Sequence, residues 1–130
     1  MTKQEAFSLA VAFLKDLIGL ETVNPPGNER IAADYVARRL AEYGIAADVA
    51  EPVPGRANVV SRRTPGEGPV VVLTGHLDVV PVSDDWQTPP FAAAEKEGKI
   101  FGRGACDMKG GIAAMMAAAV WNTVQGNETR

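Results

Sequence analysis

One histidine and two aspartates carry the clearest chemical potential in this chain of 130 residues. His76 and Asp78 close the stretch Val70-Val71-Val72-Leu73-Thr74-Gly75-His76-Leu77-Asp78. Side chains at i and i+2 of an extended chain share a face. An imidazole and a carboxylate would then stand together where an apolar strand runs out, which is where open α/β sheets bind ligands. A carboxylate on one ring nitrogen of a histidine leaves the other free for a metal. Asp107 follows in Gly102-Arg103-Gly104-Ala105-Cys106-Asp107-Met108-Lys109-Gly110-Gly111, just ahead of a helical pattern. As a ligand it would bridge two metal ions, close enough together to act on one water and one carbonyl. Nitrogen and oxygen donors near tetrahedral geometry suit zinc.

Each of these residues also has an ordinary structural reading. A lone histidine beside a strand is commonly a hydrogen-bonded structural residue, and Asp78 could simply close a turn before Pro81. Asp immediately before a helix is usually its N-cap, and from the residues alone Asp107 reads as one. The glycine-rich stretch excludes a phosphate loop, because Lys109 precedes Gly110 rather than following a glycine and leading into Ser or Thr. It excludes a dinucleotide fingerprint as well, since Asp107 stands where a glycine is needed and would repel a pyrophosphate. Cys106, the only cysteine, reads as a small packed side chain rather than a ligand. Trp86 with Pro89, Pro90 and Phe91 reads as loop packing.

The elements that must position these residues are legible in the pattern. Thr2-Lys3-Gln4-Glu5 is a capping box. Phe7, Ala10, Val11, Leu14, Leu17 and Ile18 then recur at helical spacing as far as Gly19. Asn24-Pro25-Pro26-Gly27 makes a rigid loop, and Asn28 is placed to cap a second helix. The apolar side of that helix is Ile31, Tyr35, Val36, Leu40 and Tyr43, and Gly44 is its stop. Extended segments are expected over Ile45–Ala50 and Ala57–Arg62, separated by Pro52, Pro54 and Gly55. Pro65–Pro69 is a turn. Val70–Thr74 is apolar on both faces, as a covered central strand must be. Ser83–Pro90 is a loop. Phe91–Glu95 and Lys99–Phe101 form a hairpin across Glu97-Gly98. A third helix from Lys109 to Val124 is expected to be buried on most sides, with a frayed polar tail over Gln125–Arg130. The order implies an α/β layered sheet, with one flank left uncovered.

Composition narrows the partners. The net charge is -3 with both signs interspersed, so no basic stripe points to nucleic acid and no polybasic patch to a membrane. The apolar N-terminal stretch is interrupted by Lys15 and Asp16, which argues against a secretion signal. One cysteine allows no intrachain disulfide, in keeping with a cytoplasmic location.

Four blocks agree in order and spacing with a known family. They are Thr22-Val23-Asn24-Pro25-Pro26-Gly27-Asn28-Glu29, Gly75-His76-Leu77-Asp78-Val79-Val80-Pro81, Trp86 with Pro89-Pro90-Phe91, and the stretch Gly102–Gly111. Together they resemble the di-zinc aminoacylase, acetylornithine deacetylase, succinyl-diaminopimelate desuccinylase and glutamate carboxypeptidase family. The resemblance implies an incomplete three-layer, zinc-exopeptidase-like sheet with flanking helices. It implies two Zn(2+) ions per complete site, with Co(2+) as a substitute. His76 would ligate one ion and Asp107 both, while Asp78 would serve catalysis by orienting and polarising His76. A cis peptide would follow Asp107. Such enzymes hydrolyse the amide of an N-acyl amino acid or small peptide: a water activated at the metals attacks the carbonyl, a glutamate takes its proton, and the metals stabilise the oxyanion.

Members of the family also carry a Glu-Glu pair, a further acidic ligand, a second histidine and a lid domain often used for dimerisation. Residues 1–130 contain neither a second histidine nor a Glu-Glu pair. The expectation is therefore the N-terminal part of a catalytic domain, close to inactive alone because a positioned general base contributes about 10²–10⁴-fold. The rival expectation is a non-catalytic association module with a relic metal site. An uncovered sheet edge invites pairing, so a homodimer is open to it.

Overall fold

A computed structural model describes residues 1–63, 67 and 69–128, with backbone alone at 127 and 128. The first helix, α1 (Lys3–Ile18), starts at the expected capping box. The Thr2 N–H donates to the Glu5 carboxylate at 2.6 Å and the Glu5 N–H to the Thr2 hydroxyl at 3.2 Å. Phe13, Leu17 and Ile18 are its fully buried residues. Phe7, expected on the apolar side, is instead 64% exposed, while its neighbours Leu9 and Ala10 pack against the core.

The second helix, α2 (Glu29–Ala41), begins after Asn28, but the Asn28 side chain makes no capping bond. The β-hairpin that follows takes over that role: Arg30 N–H donates to Gly55 O at 3.0 Å, and Arg56 pairs with the buried Glu29 at 2.7 Å. The helix stops as expected, with Gly44 at φ +73° and Ile45 N–H donating to Leu40 O.

Strands β1 (Asp48–Val53) and β2 (Arg56–Val60) pair antiparallel. They lie slightly later and earlier, respectively, than the apolar runs suggested. Pro52 falls where the register shifts between Ala50 and Val53, the irregular position that a residue without an N–H tolerates. The second hairpin, β3 (Ala94–Lys96) and β4 (Lys99–Phe101), is tighter than expected at its start. Glu97 and Gly98 both have positive φ, +52° and +72°, the turn whose twist matches paired strands.

A kinked turn, Ala105–Lys109, with non-helical torsions at Asp107 and Met108, leads into α3 (Gly110–Glu128). The expected frayed tail is thus helical through Glu128, and the remainder lies outside the described residues. Burial on most sides is also corrected. Ala113, Met116, Ala117, Val120 and Thr123 are buried while Ala114, Ala118 and Asn122 are exposed, so one stripe at helical spacing faces the core. That stripe packs on α1, and α2 packs on the first hairpin. Their shared core includes Phe13, Leu17, Tyr35, Val36, Leu40, Leu77, Met116 and Val120.

The chain is therefore an α/β arrangement of three helices and two small antiparallel sheets, among the described residues. The largest departure is Val70–Thr74. It pairs with no strand among those residues, and Val70, Val71, Val72 and Leu73 are 88%, 79%, 76% and 58% exposed. An apolar run becomes a central strand only when strands flank it and helices cover it; here neither happens. The turn expected at Pro65–Pro69 rests on Pro65, Gly66 and Gly68, which lie outside the described residues. No helix among the described residues is long and apolar enough to cross a membrane.

Lys109 is an unexpected part of this core. It is 1% exposed, and its ammonium donates to Leu20 O at 2.7 Å. Burial pushes its pKa down to about 8, with Glu21 opposing. The folded value lies below the unfolded one, so the unfolded chain holds more protons between them and stability rises with pH across that window. Urea unfolding of the chain and of Lys109→Met, compared at about pH 7 and about pH 10, checks this. The unsubstituted chain should gain on the variant as pH rises; parallel pH dependences would put the ammonium in water.

Candidate metal centre

Two segments far apart in sequence build the site. The first is 76–79, which lies parallel to residues 22–24. Val79 N–H donates to Thr22 O at 2.9 Å, and Asn24 N–H to Val79 O at 2.8 Å. The fully buried Thr22 hydroxyl donates to Leu77 O at 2.6 Å. Leu77 and Val79 thereby turn into the interior, and alternation sends His76 and Asp78 outward together.

The second segment is the turn 105–109. Gly104 enters it at φ +83°, a conformation that disfavours other residues. A Cβ there would also stand 2.6 Å from Val79 Cγ1. Gly75 serves a different need: a Cβ on it would meet Met108 Cε at 2.5 Å and Ile112 Cδ1 at 2.8 Å. Its bareness lets the two segments touch, and His76 N–H reaches Met108 Sδ at 3.4 Å. The Asp107-Met108 peptide is cis, as are Asn24-Pro25 and Pro25-Pro26.

The segments meet at His76. Its Nδ1 lies 3.1 Å from Asp78 Oδ1 and 3.0 Å from Asp78 O, and its Nε2 lies 3.0 Å from Asp107 Oδ1. Asp107 has non-helical torsions (φ −126°, ψ 99°) and sits three residues before α3 begins. It therefore bonds the imidazole and is not the N-cap that its position suggested. All three residues line a cleft of about 310 Å³ with Trp86, Arg103 and Cys106. Cys106 is exposed, contrary to the packed side chain expected. Trp86 is more than loop packing: the Arg103 guanidinium lies 5.1 Å from its ring centroid, within cation–π range.

The charges follow from this geometry. The hydrogen bond to Asp107 raises the His76 pKa, with Asp78 assisting and partial burial opposing. The Asp78 carboxyl is held below its usual range, first by a hydrogen bond from the Asn24 amide at 2.9 Å and then by His76. As an imidazolium, His76 donates from Nε2 to the Asp107 carboxylate and from Nδ1 to the Asp78 carbonyl, with the Asp78 carboxylate at ion-pair distance.

The donors fit a divalent cation in part. Zinc ligands at tetrahedral angles lie roughly 3.4 Å apart, and Nε2 and Oδ1 are 3.0 Å apart. With Nδ1 held by Asp78, Nε2 is the nitrogen left for a metal. No group of three or more His, Cys, Asp or Glu side chains placed to hold a metal ion occurs among the described residues, and the pair that meets here is His76 and Asp107.

Residues 72–129, which hold all three side chains, match the model of peptidase family M20/M25/M40. Over these residues the chain is similar to this family. Two probable succinyl-diaminopimelate desuccinylases, from Staphylococcus epidermidis and Staphylococcus aureus, are 38% and 36% identical to it over 112 residues. A succinyl-diaminopimelate desuccinylase from Methylobacterium radiotolerans is 41% identical over 116 residues. These matches cover 85% of this chain but only 27–29% of each relative.

Sequence reasoning paired His76 with Asp78 and set Asp107 beside them as a candidate, and all three meet in the structure. It missed Asn24 as a partner of Asp78. The only hint lay in the Asn24-Pro25-Pro26-Gly27 block, which it quoted without assigning a side-chain role.

Two measurements probe the geometry. By NMR, His76 should titrate above the ordinary value of about 6.5, and Asp107→Asn should lower the midpoint. Because the folded value is the raised one, His76 stabilises the fold fully below the unfolded value and less as pH climbs through the folded one. Gly104→Ala should cost about 1–2 kcal/mol from the left-handed backbone alone, and more as the methyl displaces Val79. Urea unfolding reads this directly, and an unchanged midpoint would mean the turn relaxes freely.

Proposed function

We propose that this chain is the N-terminal part of the catalytic domain of a metal-dependent amide hydrolase. The observation that carries the reading is the 3.0 Å approach of His76 Nε2 to Asp107 Oδ1, with Asp78 behind the imidazole. The names of the relatives support an N-acyl amino acid as the substrate class, with small peptides as the other family option. The three-layer sheet follows from the same reading: Val70–Thr74 becomes its central strand once strands from the rest of the protein flank it.

His76 and Asp107 would hold the metals, zinc by choice and cobalt as a substitute, with Asp107 shared between them. When bound, such ions polarise the scissile carbonyl, lower the pKa of water and stabilise negative charge on oxygen. The chain's own residues prepare that chemistry. Asp78 fixes the Nδ1–H tautomer and points Nε2 into the cleft. Trp86 and Arg103 wall one side, placing an aromatic face and a cation beside the reacting atoms. The proton-abstracting glutamate and the remaining ligands come from outside residues 1–130. A cytoplasmic location suits the exposed thiol of Cys106, which stays reduced there.

Zinc titration of the chain by calorimetry tests the assignment. Binding should be weak, lost in His76→Ala and Asp107→Ala, and weakened roughly 10–100-fold in Asp78→Asn. Because a proton and a cation compete for Nε2, affinity should rise with pH through the His76 midpoint. Zinc uptake indifferent to both His76 and Asp107 would overturn the proposal. In the whole protein, the same substitutions should abolish hydrolysis of N-acyl amino acids. A whole protein with no such activity would instead favour an association module, which the exposed Val70–Leu73 face also suits.

A further inference from the structure

The block Thr22–Glu29 lies outside the cleft lining, yet one of its side chains reaches the centre. Asn24 Nδ2 donates to Asp78 Oδ2 at 2.9 Å, while Asp78 Oδ1 faces His76 at 3.1 Å. We infer that Asn24 is a positioning residue of the metal centre, acting through Asp78. The inference rests on the reading of His76 and Asp107 as ligands.

The physical case begins with the freedom of a carboxylate. The terminal torsion of an aspartate is broad and does not by itself fix the plane of its two oxygens. A bond to one oxygen leaves the group able to swing; a second bond, to the other oxygen, sets the plane. Asn24 provides that second bond from a fixed base. Its own N–H donates to Val79 O at 2.8 Å, and its neighbour Val23 bridges to Val79. Pro25 follows it and restricts its backbone. On its other flank the Thr22 hydroxyl holds Leu77 O at 2.6 Å. Residues 22–24 therefore grip both the backbone and the carboxylate of the segment that carries His76.

The residue type matters. An ionised carboxylate only accepts hydrogen bonds, so its partner must donate. Lysine or arginine would donate too, but would compete with the imidazole for the charge of Asp78. Aspartate in place of Asn24 would set two carboxylates against each other. A neutral amide fixes Asp78 and leaves its full charge facing His76. The chain of contacts runs Asn24, Asp78, His76, Asp107, and joins the start of the protein to the turn before α3.

A double-mutant cycle on zinc affinity, read by calorimetry on the whole chain, tests this. Asn24→Ala should weaken zinc binding roughly tenfold, the lower end of what outer partners of a ligand histidine contribute. In an Asp78→Ala background the same substitution should change affinity little, because its only route to the metal has gone. Asn24→Asp, which keeps the shape and loses the donor, should weaken binding at least as much while thermal unfolding shows the fold intact. An equal loss in both backgrounds would make Asn24 merely structural and overturn the inference. So would no loss in either, with His76→Ala still abolishing binding. Failure of the metal reading has a separate signature: zinc uptake then survives His76→Ala.

Discussion

An imidazole between two carboxylates is bistable in charge but not in position. His76 can hold a proton on Nε2 or, under the proposed function, lend that lone pair to a cation, while its Nδ1 faces Asp78. Everything else described here serves to keep that ring still. If the ring could rotate, Asp107 and Asp78 would be two surface carboxylates of no chemical consequence. Because it is held from behind, the nitrogen facing Asp107 is fixed, and under the proposed function a cation would meet two donors already near their bound separation.

Holding it requires that distant segments be brought within hydrogen-bond reach, and backbone carries most of that load. The parallel bridge at Val23 and Val79, with the Thr22 bond to Leu77, ties segment 76–79 to the chain leaving α1. Lys109 ties the opposing turn to the same place, through Leu20 O. The end of α1 is thus the common anchor for the histidine and for Asp107, from opposite sides. Glycines at 75 and 104 permit the approach by having no side chain. The short blocks spread along the chain thus contribute walls and tethers to a single small volume.

What could be read from the sequence, and what could not, divides along the same physical line. Helix α1 was legible because its capping box and periodicity are local, and α2 because its periodicity and its glycine stop are. The second hairpin was legible because Glu97-Gly98 dictates its turn. The pairing of His76 with Asp78 follows from alternation, again a local rule. Asp107 was ambiguous, since a residue before a helix caps by default, and only the tertiary approach of His76 decides otherwise. Val70–Leu73 failed for a related reason: an apolar run reports a preference for burial, and burial itself needs partners from elsewhere. Asn24 and Lys109 were invisible, because their partners lie 54 and 89 residues away.

The uncovered run and the open cleft are two aspects of one geometry. Val70–Leu73 leads directly into Gly75 and His76, so the exposed apolar segment ends at the metal-facing ring. Four consecutive exposed apolar residues, Val70–Leu73, offer a surface suited to being covered. Whatever flanks this segment must therefore also approach the rim of the cleft, where His76 and Asp107 point outward. Side chains at the ends of such flanking elements would arrive beside the two donors already in place. Under the proposed function, those are the positions from which the missing ligands and the proton-abstracting glutamate must come. Completing the sheet and completing the metal site are then the same event, which couples metal affinity to the docking of the rest of the protein.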